Sequence, residues 1–305
     1  MVTENSTLHV PVLSREILHW LAPVPGGVYV DATLGLGGHS GELLRHTPPV
    51  GGVYGFEWDK DAAILAGERL GGHGERFHLV SASYANLVEE LERRGIHQID
   101  GLIADLGVSS LHLDRGERGF TFRQDAPLDM RMNQEGGLTA AELVARLSEA
   151  ELADVFYHYG EERQARRIAR YLVEARAQAP VVSTGQLAEI VARAIPLKYH
   201  PKKIHVATKV FQALRIAVNG EFDNILRLLT TAPQVLAPGA RICIISFHSL
   251  EDRMVKKTFS EHPAYQVLTR KPVQASVEEV HDNPRSRSAK LRVAQRTEAA
   301  DRSRS

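Results

Sequence analysis

Short apolar runs bounded by glycine or polar positions recur through the first third of the chain: GVYVDAT (27–33), GVYGFEW (52–58), RFHLVSA (76–82) and DGLIADLG (100–107). Near-continuous apolar runs of this length are what strands buried on both faces of a parallel sheet require. Between them the spacing switches to helical periods, in SGELLRH, KDAAILAGERL and YANLVEELERRG. The order βαβαβαβ predicts an α/β, doubly wound, Rossmann-like sheet, in which right-handed crossovers bring the strand C-termini to one edge.

The alternation stops after Leu111. From Leu138 to Ile195 the pattern is almost wholly helical, in LTAAELVARLSEAELADVF, GEERQARRIARYLVEARAQ and STGQLAEIVARAI. Strand character returns at ARICIISF (240–247), after a helical FDNILRLLTTAPQVL and an APGA turn, and a late pair, AYQVLTR and SAKLRVAQR, is placed to close the sheet edge. The pattern predicts a discontinuous core, 1–112 with 208–305, and a helical insertion over 113–207 on the substrate side.

Composition narrows the class. At 305 residues and 43% hydrophobic, the chain can bury a sizeable core. It has one cysteine, Cys243, so no internal disulfide forms, and no Cys/His cluster has metal-ligand spacing. The N-terminus lacks a basic region followed by an apolar stretch, and no run approaches the length of a membrane span, so the expected location is the cytoplasm. Net charge is zero, which argues against coating nucleic acid by charge alone. The charges are nevertheless uneven. Between Ile190 and Gly220 stand six basic residues, Arg193, Lys198, Lys202, Lys203, Lys209 and Arg215, and no acid, with Tyr199 and Phe211 available for stacking. A second basic stretch, NPRSRSAKLRVAQR, carries Arg285 and Arg287. Each reads either as a solvated face or as a focused contact for an anionic partner.

DATLGLGGHS (31–40) places Gly35, Gly37 and Gly38 in a strand-to-helix turn, which admits close approach of a ligand to the backbone. Dinucleotides, nucleotides and S-adenosylmethionine all use such turns. The dinucleotide fingerprint G-x-G-x-x-G is missed at Ser40. Glu57, at the end of the second strand, suits the vicinal hydroxyls of a ribose. Asp31 and Asp105 close two further strands. A pyrophosphate would be repelled by Asp31, whereas a sulfonium and an ammonium suit acidic surroundings, so the charges favour S-adenosylmethionine over a nicotinamide dinucleotide.

HVPVL, DATLGLGGHS, DGLIADLGVSS, RGFTFRQDAPLDMRM, FQALRIAVNGE, ISFHSLEDRMVK and NPRSRSAKLR span nearly the whole chain. In combination they resemble the RsmH/MraW family of bacterial 16S ribosomal RNA (cytosine-N4)-methyltransferases. The resemblance implies an S-adenosylmethionine-dependent methyltransferase sheet with an inserted helical domain. It also implies N4-methylation of a cytidine in the decoding region, on small-subunit ribosomal RNA or the assembled 30S subunit. Carried over by position, cofactor contacts fall on Gly37, Gly38, His39, Glu57, Tyr84, Asp105 and His112. Glu57, Tyr84 and His112 stand where the family usually has Asp, Phe and Gln. Val206 and Lys209 stand where Pro and Arg are frequent. RNA contacts are expected at Arg131 of DMRM, at Lys202, Lys203, Lys209 and Arg215, and at Arg285 and Arg287.

For chemistry, a cytosine amine is a weak nucleophile, so the site needs an acceptor for its N–H and a means of holding the base. Asp105 lies at the right strand end for this, or for binding the cofactor. His248 and Ser249 follow the ICIISF strand toward the same edge, with Ser249 equally suited to cap the next helix. Carbon-5 methylation normally needs a cysteine nucleophile, and Cys243, among isoleucines, reads as core. The rival readings are a nicotinamide-dependent oxidoreductase, another nucleic-acid amino-methyltransferase, and a noncatalytic ribosome-assembly factor.

Overall fold

The computed structural model describes residues 11–46 and 49–298; His9 and Val10 of the HVPVL motif lie outside the described residues. Among the described residues seven strands form one sheet: β1 (Val28–Asp31), β2 (Gly52–Phe56), β3 (Phe77–Val80), β4 (Ile99–Asp105), β5 (Leu236–Ser246), β6 (Tyr265–Val267) and β7 (Lys290–Arg296). Their order is β3-β2-β1-β4-β5-β7-β6. The first five are parallel, and β7 runs antiparallel to both β5 and β6. The doubly wound sheet with a helical insertion, and the closing pair of late strands, are both as the sequence predicts.

The helices interleaved with the sheet are α1 (Ser14–Leu21), α2 (Gly38–Arg45), α3 (Lys60–Leu70) and α4 (Leu87–Glu92). A helical stretch follows, with α5 (Ser110–Asp114), α6 (Ala140–Arg146), α7 (Glu149–Gly160), α8 (Ala165–Gln178), α9 (Thr184–Ala194) and α10 (Thr208–Asn219). The chain returns through α11 (Glu221–Thr231), α12 (Ser249–Glu261) and α13 (Val277–Asp282). No helix among the described residues is long and apolar enough to cross a membrane.

The described residues form two compact units, one running to Gly107 and resuming at Asp223, the other Val108–Phe222. The first boundary falls five residues before the predicted one. The second corrects the prediction more substantially, because α10 belongs to the helical unit and not to the sheet. Its reason is packing: a Cβ on Gly160, the last residue of α7, would stand 2.6 Å from the Lys209 carbonyl oxygen of α10, an approach that only glycine permits. Capping boxes open α6, α7 and α9 of this unit, Thr139 with Glu142, Ser148 with Glu151 and Ser183 with Gln186, and Ser109 with His112 opens α5 in the same way. In each the cap side chain and the third-position side chain satisfy each other's backbone N–H, which sets where α6, α7 and α9 begin.

In the sheet unit, the core joins Leu13, which caps α1, and Ile17 and Leu21 of α1 with Tyr29, Val53, Ile103, Cys243, Ile245, Leu291 and Val293 of the strands. Each such side chain contributes about 1.5–3 kcal/mol by leaving water. Cys243 is fully buried and burial raises its thiol pKa, in line with a core residue. The APGA segment departs from expectation. It lies within β5 as an irregularity, where register jumps from Ile99 opposite Leu236 to Gly101 opposite Arg241.

Candidate active site

The glycine loop is built by a strand that ends in a charge and a helix that starts on glycine. Gly37 caps α2 at φ 76°, and a Cβ there would meet Leu70 Cδ1 at 2.7 Å. The left-handed backbone favours glycine, and the Leu70 side chain would have to shift for any Cβ. Gly37→Ala is expected to destabilise the protein by about 1–2 kcal/mol from the left-handed backbone alone. A thermal melt matching the parent would contradict this.

Glu57, one residue past β2, spans the loop. Its Oε2 accepts the Gly35 amide at 2.9 Å and its Oε1 the Asp59 amide at 2.8 Å. Burial drives its pKa up to about 7, against the effect of those two bonds. Asp31 is buried at the end of β1, where Oδ2 accepts the Ser40 hydroxyl at 2.8 Å and Oδ1 the Thr33 amide at 3.3 Å. Burial raises it to about 6. Asp31 thus ties the strand to α2, a tether in which neither Ser40 nor Thr33 was foreseen.

Asp105 ends β4, and its amide donates to Thr33 Oγ1 at 2.5 Å. One carboxylate oxygen, Oδ2, lies 3.9 Å from His39 Nε2, and the other, Oδ1, is buried with no hydrogen-bond partner among the described residues. Burial, then like charge from Asp31 and Glu251, raises Asp105 to about 8. Such an orphaned acceptor is costly unless something donates to it.

Glu251 escaped the sequence reading. It is buried in the first turn of α12, and its Oε2 accepts the amides of Phe247 at 2.8 Å and His248 at 3.2 Å. His248, rather than Ser249, is the N-cap: its Nδ1 accepts the Glu251 amide at 3.3 Å, and its Nε2 faces Glu251 Oε1 at 3.1 Å. Both ring nitrogens therefore face Glu251, which accounts for His248 without a target base. The signal was present as H-x-x-E ahead of an apolar run, a variant of the capping box.

Gly38 and His39 open α2, and His39 is buried. Tyr84 begins the turn after β3, also at the C-terminal side of the sheet, as the crossovers require. His112 belongs to the helical unit, where its Nδ1 accepts the Ser109 amide at 3.2 Å and its ring lies 4.8 Å from that of Phe120.

The basic candidates divide. Arg131 clasps Asp129 through Nε and Nη2 at 2.9 and 2.8 Å, and Arg215 clasps Glu221 at 2.8 and 2.9 Å. Lys209 Nζ donates to the Glu161 carbonyl at 2.8 Å. These pairings explain the three charges internally. Phe211 is buried, its ring 4.7 Å from Phe122, which corrects its reading as a stacking surface. Lys202, Lys203, Arg285 and Arg287 are exposed.

The MraW methylase family matches residues 6–297. The ribosomal RNA small subunit methyltransferase H of Desulfotalea psychrophila is 54% identical over 289 residues, 95% of this chain and 98% of its own length. The proteins of the same name from a Cyanothece species and from Geotalea uraniireducens are 49% and 44% identical, each matched over 98% of its length and over 98% and 94% of this chain. A match of this extent, with the strand-end acids and glycine loop on one sheet, means that the chain belongs to the MraW methylase family.

Proposed function

We propose that this chain methylates the N4 amine of a cytidine in small-subunit ribosomal RNA, free or in the 30S subunit, in the cytoplasm, with S-adenosylmethionine as donor. The substrate follows the name its relatives share, and cytidine N4 follows the motifs quoted above. The observation that carries the cofactor is the buried Asp105 Oδ1, an acceptor without a donor, within a set of acids that includes Asp31 and Glu251. Those groups fit a cationic ligand and repel a pyrophosphate.

When bound, S-adenosylmethionine supplies a sulfonium methyl that passes in line to the amine nitrogen, leaving a thioether, while the nitrogen sheds a proton. The protein's task is alignment and charge. Gly37, Gly38 and His39 hold the donor against the start of α2. Glu57 uses one lone pair on each oxygen for the Gly35 and Asp59 amides and keeps the others for ribose hydroxyls. The resemblance adds Tyr84, whose ring would face the adenine, and His112. Asp105 accepts an N–H at the reacting edge. Carbon-5 chemistry lacks a nucleophile, since the single cysteine is sealed in β5.

Calorimetric titration tests the cofactor: S-adenosylmethionine is expected to bind and NAD to give no heat. The reverse would restore the oxidoreductase reading. Glu57→Ala is expected to weaken S-adenosylmethionine by about 1–3 kcal/mol, the range for a hydrogen bond to a charged group. Unchanged affinity would remove Glu57 from the site.

A further inference from the structure

The segment between α9 and α10 displays apolar side chains that a folded helical unit would ordinarily cover. Leu197 is 84% exposed, Tyr199 54% and Ile204 49%, and Lys198, Lys202 and Lys203 are exposed among them. The display is held in place. Leu197–Tyr199 form a 3-10 turn in which the Tyr199 amide donates to the Pro196 carbonyl at 2.8 Å and the His200 amide to that of Leu197 at 3.0 Å. His200 Nε2 meets the Ile195 carbonyl at 2.9 Å, and the His205 ring packs 4.7 Å from Phe122 at the other end. Lys198 Nζ sits 4.9 Å from the centre of the Tyr199 ring.

None of the three lysines has an acidic partner among the described residues. They therefore differ from Arg131 and Arg215, each clasped by a carboxylate, and from Lys209, whose Nζ donates to the Glu161 carbonyl.

We infer that the 196–205 loop is a grip for unpaired RNA, in which Tyr199 stacks on a nucleobase and Lys198, Lys202 and Lys203 hold the flanking phosphates. The inference rests on the ribosomal RNA reading and adds the place and manner of the contact. An aromatic face takes any base, and an ammonium near the ring both strengthens the cation–π field and stands ready for the phosphate. RNA is favoured over a protein partner by composition. Lysine is depleted where proteins bury surface against each other and enriched where a surface tracks phosphates. A positioned turn loses little freedom on binding, so the exposed ring contributes affinity at small entropic cost.

The test uses the full chain and two probes, a short unstructured RNA oligonucleotide and isolated small ribosomal subunits. Tyr199→Ala is expected to weaken the oligonucleotide about tenfold or more, with S-adenosylmethionine affinity unchanged by calorimetry. Tyr199→Phe should retain the parent's affinity, since it keeps the ring. Lys202→Ala with Lys203→Ala should flatten the slope of log affinity against log salt by about 1.4, from two phosphate contacts on a single strand. Tyr199→Ala binding the oligonucleotide as the parent does would overturn the inference. A loss confined to subunits would also overturn it, assigning the loop to a ribosomal protein. Methyl incorporation into subunit RNA by the parent chain is scored separately: its absence defeats the methylation reading, while the oligonucleotide arm still decides the loop.

Discussion

Replacing Asp105 with asparagine is expected to slow single-turnover methyl transfer by about 100-fold or more, the lower part of the range for a positioned proton acceptor. The side chain is fixed before any substrate arrives. Its backbone amide is held by Thr33 Oγ1 across the β1–β4 edge, and Oδ1 is sealed without a partner. Asparagine keeps an acceptor oxygen and the shape but removes the charge, so it separates hydrogen bonding from electrostatics. The amine gains positive character as its bond to the methyl forms, and only a carboxylate stabilises that charge and takes the proton. The informative readout is the rate at saturating S-adenosylmethionine, because affinity alone would also change if Asp105 touched only the cofactor. An asparagine variant with the parent's saturated rate would leave Asp105 a binding residue.

The second large effect is the pH dependence of cofactor affinity. Without ligand, burial raises Asp31 to about 6, Glu57 to about 7 and Asp105 to about 8, with Asp31 and Glu251 adding like charge at Asp105. A cationic ligand favours the ionised carboxylates, so binding releases the protons they hold. The sign follows: below the ligand-free pKa, ionisation has to accompany binding and affinity falls; above it, the group is already ionised and affinity is level. Each released proton changes affinity about tenfold per pH unit. Affinity for S-adenosylmethionine should therefore rise about 100-fold or more between pH 6 and 8. Titration at neutral pH in buffers of different ionisation enthalpy should show proton release. Asp105→Asn should remove the steepest part of the rise. Affinity that does not change with pH would contradict the acidic pocket.

The strands were legible because burial on both faces leaves an unbroken apolar run, as in GVYGF of β2, and the glycine loop because close approach demands residues without side chains. The strand-end acids were legible for the same reason, as charges where apolar runs stop. Helix α1 was not read. It is two turns long, and its flanking residues Leu13 and Ala22 adopt left-handed backbone that no glycine announces. The end of the insertion was misread at 207 because FQALRI is amphipathic, and amphipathicity says that a helix is covered without saying by what. The close approach of Gly160 to Lys209, with Gln212 Nε2 donating to the Tyr159 carbonyl at 3.1 Å, assigns α10 to the helical unit.

Within the site, what the sequence could not disclose is partnership. Arg215 and Glu221 stand six residues apart and read as separate charges until the turn after α10 brings them to 2.8 Å. Thr33 and Asp105 are 72 residues apart and meet through strand pairing. Glu251 and Asp252 are adjacent in sequence, yet Glu251 is buried against His248 while Asp252 is claimed by Arg292. Charge counts along a chain register the presence of ions. Whether an ion is spent internally or offered to a ligand depends on distances that fold formation sets, and this is why Lys202 and Lys203 now differ from Lys209.

Methyl transfer to a cytidine amine in small-subunit ribosomal RNA can be observed directly. Its most direct measurement is a single turnover of the purified chain with methyl-labelled S-adenosylmethionine and small subunits lacking the modification, followed by nucleoside analysis of the RNA. Label is expected in a cytidine methylated at N4, formed in proportion to enzyme and absent without it. Label at carbon 5, in another nucleoside or in protein, or no label while the cofactor binds, would contradict it.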